Sequence, residues 1–356
     1  MEAFQYSGIR QAEHPVAIKT SAPSNIALVK YWGKHGEQLP KNPSVSFTLD
    51  HCQTQTEVVF SPADPQNNGF SFVFDGEPKP DFHPKLDSFF NKIKPYCPYL
   101  DTHHMAISSR NTFPHSSGIA SSASAMAALA TALLGLEKHF TPELDDTYFW
   151  QKASFLARLG SGSAARSLQG PLMLWGQTPH YQQSSDIIAV PLTENIHSVF
   201  QNYRDTILLV DRGQKKVSST QGHQLMHGHP YAAARFQQAE DNTARLLSIL
   251  QQGDVDAFIP LVESEALSLH ALMMSSHPYF ILMHPNTLHV LDRVWDFRQQ
   301  SKIPLCFTLD AGANVHLLYP DEFADAVQTF IQSDLSSFCQ AGQYIDDQVG
   351  SGAKIY

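Results

Sequence analysis

The chain of 356 residues has 42% apolar and 16% charged side chains, with a formal net charge of −10 when histidine is neutral. That composition excludes a disordered chain, and the length predicts two domains rather than one core. The acidity argues against general nucleic-acid binding, while anionic small molecules stay open because a local lysine and arginine cluster can override the global sign.

In chain order, the first informative stretch is Asn25-Ile26-Ala27-Leu28-Val29-Lys30-Tyr31-Trp32-Gly33-Lys34. In an extended segment Lys30 and Lys34 share a face, placed either to neutralise a phosphorylated ligand or to reach solvent. Phe70 to Phe74, followed by Asp75-Gly76, predicts a strand and hairpin. Pro114-His115-Ser116-Ser117-Gly118-Ile119-Ala120-Ser121-Ser122-Ala123 leads into an Ala-, Leu- and Met-rich run ending at Lys138, which predicts a helix. Gly118 permits a tight backbone path, and Ser121 or Ser122 can cap the helix, whose N-terminus attracts phosphate. No Gly-Lys-Ser/Thr follows, so this is not a Walker A loop, and the same residues suit an ordinary N-cap.

Tyr148 to Arg158 predicts a second helix, broken at Gly160-Ser161-Gly162-Ser163 and restarted through Ala164-Ala165-Arg166. There Arg166 could hold a carboxylate or phosphate at two points, or the segment could be a plain inter-helix turn. Val190 to Val199 reads as a crossover, dividing the chain near residue 195 into domains 1–195 and 196–356. Beyond it, Thr206 to Val210 predicts a strand, and Tyr231 to Gln252, Val255 to His270 and Thr287 to Gln300 predict helices. Pro304 to Leu309 reads as a strand ending at Asp310, ahead of Ala311-Gly312-Ala313-Asn314. A carboxylate there suits either a general base or a turn cap. The alternation of strands and helices predicts an α+β fold.

Cys52, Cys97, Cys306 and Cys339 match no zinc or redox spacing and predict free thiols in a reducing compartment. Met1 to Thr20 lacks the apolar run of a signal peptide. The apolar stretch Ala123 to Leu136 is shorter than the roughly 20 residues of a membrane span. A cytoplasmic protein without a membrane partner is expected. His223, His227 and His229 are closely spaced but form no His-Glu-x-x-His pattern, and no metal ligands are assigned. The absence of a Gly-x-Ser-x-Gly elbow leaves a hydrolase triad unsupported.

Taken together, these segments resemble the diphosphomevalonate decarboxylases of the GHMP kinase superfamily. The stretch Ala22 to Lys34 matches that family's Ala-Pro-x-Asn-Ile-Ala run and its Lys-Tyr-Trp-Gly-Lys. Phe113 to Ala123 matches its phosphate loop, with Ile119 for Leu, and Gly160 to Ser167 matches its Gly-Ser-Gly-Ser-Ala-x-Arg-Ser. Val217 to Gly222 and Asp310 to Asn314 match further runs, with Ala313 for Pro and with His223 where Met is common. The resemblance implies a ribosomal S5 domain 2-like N-terminal domain, a ferredoxin-like C-terminal domain and a cleft between them. It further implies ATP and Mg2+ as cofactors, mevalonate 5-diphosphate as substrate and a homodimer. A related small-molecule kinase, a monophosphate decarboxylase and a ligand sensor of the same fold share much of the pattern. By the resemblance, Asp310, Lys30 and Arg166 are catalytic, and Arg166 also holds the substrate carboxylate. Tyr31, Lys34, Ser161, Gly162, Ser163 and Ser219 line the substrate. Pro114, Ser117, Gly118, Ile119, Ala120, Ser121 and Ser122 hold the nucleotide phosphates.

Overall fold

A computed structural model describes residues 2–8, 11–63, 69–114, 119–213 and 219–356, without the side chains of Ser219 and Thr220. The first half is built on a mixed sheet. Its centre is the 19-residue strand Ser44–Pro62, flanked by antiparallel neighbours Val16–Ala27 and His103–Asn111. Gly69–Phe74 runs parallel to the latter and turns back through Asp75 and Gly76, both at positive φ, into Glu77–Pro78. This is the hairpin expected from Asp-Gly.

The long strand changes character along its length. Its first six residues are buried on both faces, and the rest alternate between buried and half-exposed. The alternating part is covered on one face by helix α2 (Ser121–Phe140), against which α3 (Asp146–Gly160) packs, with α1 (His83–Ile93) beside α3. The doubly buried part pairs with Leu172–Trp175 and lies under the second half of the chain, which is why its burial is continuous although Ser44-Val45-Ser46-Phe47-Thr48-Leu49 alternates polar and apolar residues.

The second half carries a four-stranded antiparallel sheet in the order Cys306–Thr308, Val315–Pro320, Tyr203–Leu208, Tyr344–Gln348. Around it lie α4 (Ser219–Gln224), α5 (Ala232–Gln252), α6 (Val255–Met274), α7 (Pro285–Ser301) and α8 (Ala324–Phe330). α6 is long and apolar enough to cross a membrane and has 61% of its apolar window buried within this fold.

The halves are fused rather than merely tethered. Phe47 of the first sheet stacks on Tyr203 at 5.9 Å, and Tyr203 meets Phe258 at 5.4 Å, within one apolar cluster drawn from both halves. Buried Asp347 accepts the main-chain N–H groups of Asp50, His51 and Cys52 at 3.0, 2.8 and 2.7 Å. The last strand, Lys354–Ile355, crosses back to pair with Thr20 and Ser21. All four cysteines are free and buried.

Candidate active site

The strand Val16–Ala27 ends three residues before Lys30, and residues 28–33 leave the sheet. Leu28 and Val29 both donate to the Val45 carbonyl, at 2.8 and 3.2 Å, which folds the chain over. The expected shared face of Lys30 and Lys34 therefore does not form. Lys30 is 1% exposed, and its Nζ donates to Asp310 Oδ1 at 2.9 Å. Asp310 comes from the other half, two residues past the strand Cys306–Thr308, and its side chain stays 27% exposed at the cleft. Burial lowers the Lys30 pKa; Asp310 and Glu265 pull it back up, and Arg166 pushes it down.

Arg166 comes within electrostatic reach of Lys30 and Asp310 from the segment after α3. Helix α3 ends at Gly160, Ser161 is extended, and a tight turn of 3-10 helix, Gly162–Ser167, carries the arginine inward. Gly162 has to be glycine. A Cβ there would stand 2.9 Å from both the Trp175 ring and the Tyr31 hydroxyl. The Arg166 Nη1 donates to Ser44 Oγ, and Ser44 Oγ donates to the Val29 carbonyl at 2.5 Å. Among the described residues, the buried Nε of Arg166 has no partner and no carboxylate forms an ion pair with the guanidinium. Burial holds its pKa down to about 10, against the opposing pull of Asp310 and Tyr31. A cation buried in this state is a receptor for an anionic group.

The remaining expected residues divide. Tyr31 lies against Trp175 and His223 with ring centroids 4.7 and 4.2 Å apart, and burial raises its phenol pKa. Ser161 and Ser163 flank Gly162 on the same turn, and the Ser163 carbonyl accepts from Asn25 Nδ2 at 3.2 Å. Lys34 sits toward the rim, with Nζ donating to Gln38 Oε1 at 2.9 Å. Ser219 opens α4, but its side chain lies outside the described residues. His223 is an addition to the expected set. Its Nδ1 accepts from Gly33 N–H at 2.9 Å, which puts the proton of the neutral ring on Nε2. Burial, with Lys34 and Arg166 nearby, drives its pKa down to about 3. Among the described residues, no group of three or more His, Cys, Asp or Glu is placed to hold a metal ion.

The phosphate loop is described at Pro114 and from Ile119 onward; Ser117 and Gly118 lie outside the described residues. Ser24 Oγ donates to the Ile119 carbonyl at 2.7 Å, fixing the approach to α2. The expectation that Ser121 or Ser122 caps α2 fails. Ala120 occupies the cap in a left-handed conformation, φ 41°, with no side-chain cap bond. The sharp turn at Ala120 places both serines inside the first turn. Ser122 Oγ accepts instead from Lys85 Nζ of α1 at 2.8 Å. Beside this contact runs an apolar groove lined by Phe72, Phe74, Phe82, Leu86 and Met126. A polar, cationic end joined to an aromatic trough suits a nucleotide. Lys85 escapes sequence reading because it is one of two lysines, with Lys92, on an amphipathic helix.

Fold and cleft together define a two-domain α+β protein of the GHMP kinase type, with a carboxylate from one domain within electrostatic reach of a buried arginine of the other. Residues 22–187 match the diphosphomevalonate decarboxylase-like N-terminal domain, and residues 206–353 the mevalonate 5-diphosphate decarboxylase C-terminal domain. The chain belongs to the diphosphomevalonate decarboxylase family. It is 28% identical to the diphosphomevalonate decarboxylase of Ganoderma lucidum, across 92% of this chain and 83% of that one. It is also 28% identical to the Saccharomyces cerevisiae enzyme, across 87% and 80%. Among solved structures, the mevalonate diphosphate decarboxylase of Staphylococcus aureus superposes with a TM-score of 0.83 at 28% identity, covering 98% of this chain and 100% of that one. MDDEF in complex with MVAPP, AMPPCP and magnesium gives 0.82 at 28% identity, covering 96% and 99%.

Proposed function

We propose that this chain converts mevalonate 5-diphosphate to isopentenyl diphosphate, with ATP giving ADP and phosphate and with release of carbon dioxide. The observation that carries the reading is the partly exposed Asp310 carboxylate, held by buried Lys30 within electrostatic reach of buried Arg166, whose Nε has no partner among the described residues. Asp310 takes the proton of the tertiary 3-hydroxyl as that oxygen attacks the γ-phosphorus. Lys30 fixes the direction of the carboxylate and offsets its charge. The 3-phosphate then leaves with the C–O electron pair. The carbon–carboxylate bond supplies the electrons of the new double bond, and carbon dioxide departs. Arg166 holds the substrate carboxylate until that step, and Tyr31, with Gly162 and its flanking serines, walls the cleft.

The groove beside Lys85, Ser121 and Ser122 fits ATP: it offers aromatic faces for the base and a cation with helix N–H groups for phosphate. Magnesium supplies charge neutralisation on the phosphates and characteristically comes bound to them with few protein ligands. We also propose a cytoplasmic homodimer, with fractionation and light scattering as the tests.

The deciding measurement is a product assay with mevalonate 5-diphosphate, ATP and magnesium. Isopentenyl diphosphate, carbon dioxide, ADP and phosphate should form in equal amounts. A stable 3-phosphorylated product would replace the reading by a small-molecule kinase, and binding without turnover would replace it by a sensor. The same assay with the 5-monophosphate separates the two substrates.

A further inference from the structure

Lys30 is gripped by its main chain as well as by its ammonium. Its N–H donates to Glu265 Oε2 at 2.8 Å. Its carbonyl accepts from Arg235 Nη2 and Asn42 Nδ2, each at 3.0 Å. Glu265 on α6 and Arg235 on α5 are themselves a forked pair, Nη1 to Oε1 at 2.9 Å and Nη2 to Oε2 at 2.5 Å, with side chains 0% and 2% exposed. Asn242 adds a fourth donor, to Oε1 at 2.6 Å. The carboxylate thus receives four hydrogen bonds in the dry seam between the halves, and one of them comes from the residue that touches Asp310.

An ion pair sealed to this degree is a poor source of stability, because desolvation offsets its Coulomb gain. Its geometry has another use. Lys30 lies in a segment without strand partners, at the end of four flexible methylenes, and must place its ammonium against a carboxylate from the other half. Peptide groups on both sides of its Cα are held by one charge pair from the second half. We propose that Glu265, with Arg235, is a positioning residue for the decarboxylation proposed above: it clamps the Lys30 main chain and so aims the ammonium at Asp310. The clamp also carries charge. The groups around the Lys30 ammonium and main chain are Asp310, Glu265, Arg166 and Arg235, and His270 Nε2 lies 3.1 Å from the Asp310 carbonyl. Glu265 supports the charged form of the lysine.

The test uses Glu265→Gln and the double variant Glu265→Gln/Arg235→Met in the full chain, the second removing the stranded cation so that folding survives. In Glu265→Gln, kcat should fall on the order of 10²-fold, because misplacement of about 1 Å has that cost. KM for substrate and ATP should stay within a factor of about 3. Loss of the anion lowers the Lys30 pKa, so the alkaline limb of kcat should move down by about one pH unit. In the double variant charge balance returns, so thermal stability and the alkaline limb should recover while kcat stays low. Crystal structures of both variants should show Lys30 Nζ beyond hydrogen-bond reach of Asp310. Recovery of kcat in the double variant, or retention of the 2.9 Å contact in its crystal structure, would overturn the positioning role. An inactive wild-type enzyme would reject the decarboxylase reading alone, since the variant structures decide the clamp without turnover.

Discussion

Two lysine–carboxylate pairs, one inside the first domain and one between the two halves, are built for different ends. Lys152 Nζ sits 2.7 and 2.9 Å from the two oxygens of Glu137, with both side chains at 0% exposure. Tyr99 donates to the same carboxylate at 3.1 Å, and the Tyr96 carbonyl accepts from Lys152 at 3.1 Å. Lys30 and Asp310 repeat the chemistry at 2.9 Å, but the aspartate is 27% exposed and belongs to the other half of the chain. In the first pair every polar direction is taken up inside one domain. In the second, the lysine is as deeply buried while the carboxylate is 27% exposed at the cleft. A closed pair can only hold helices α2 and α3 together; a half-open one can act on something that enters.

The largest effect expected is on turnover at the open pair. Asp310→Asn keeps the shape and removes the base, so kcat should drop by about 10² to 10⁴. Substrate and ATP affinity should hardly move, and the thermal midpoint should fall by less than in the sealed pair, because the amide oxygen still accepts from buried Lys30 Nζ. Near-normal turnover would reduce Asp310 to a turn residue. Lys152→Met should show the reverse. It strands Glu137 in the core and should cost about 3–5 kcal/mol of stability, with little change in kcat of the folded fraction. Pairing it with Glu137→Leu should recover most of that loss by removing the stranded charge. A double variant as unstable as the single one would mean that the ion pair itself, not its half-removal, carries the stability.

The open site offers a third contrast. Arg166 is a planar fork with Ser44 on one nitrogen and its Nε unpaired among the described residues. Lysine cannot reproduce a two-point grip, and a charge-assisted hydrogen bond is worth about 1.5–3 kcal/mol. Arg166→Lys should therefore lower kcat by roughly 10- to 100-fold. ATP affinity should stay close to that of the wild type. Unchanged kinetics in Arg166→Lys would remove the carboxylate-holding role.

What the sequence discloses and what it conceals follow from the range of the interactions. α2 is legible because an Ala- and Leu-rich run has one good conformation, and the Asp75-Gly76 hairpin because its turn requires two positive φ values. Asp310 is legible as an acid at the end of a buried strand. The burial of Lys30 is not, since even spacing speaks only for an extended chain and the segment leaves the sheet after Ala27. The missing serine cap is hidden by Ala120, a residue with no local preference for the left-handed turn it adopts. Glu265 and Arg235 are 30 residues apart on separate helices and form no motif; only the docking of the two halves makes them partners of Lys30. The return of Lys354–Ile355 to the first sheet is likewise a long-range pairing without a local sign.

The smallest predicted effect concerns acid. His223 sits beside the open pair, wedged against Tyr31 and Trp32, with no carboxylate among its described contacts. Its pKa of about 3 lies below the ordinary 6.5 because of burial, with Lys34 and Arg166 adding repulsion. The sign follows from proton counts. Between pH 6.5 and 3 the unfolded chain binds this proton and the folded chain does not, so stability falls as pH drops through that window. At pH 5 the penalty is about 2 kcal/mol, from 1.5 pH units at about 1.4 kcal/mol each. His223→Met removes the titration and leaves the Gly33 N–H without its acceptor. The variant should thus be less stable than wild type by a constant amount above pH 7 and should close that gap as the solution is acidified. Thermal unfolding at pH 7.5, 6 and 5 reads the gap directly. If it stays constant across the three, the acid response belongs elsewhere in the chain. If it closes, the acid sensitivity belongs to the cleft, where a neutral ring lies among cations, rather than to the sealed pair between α2 and α3.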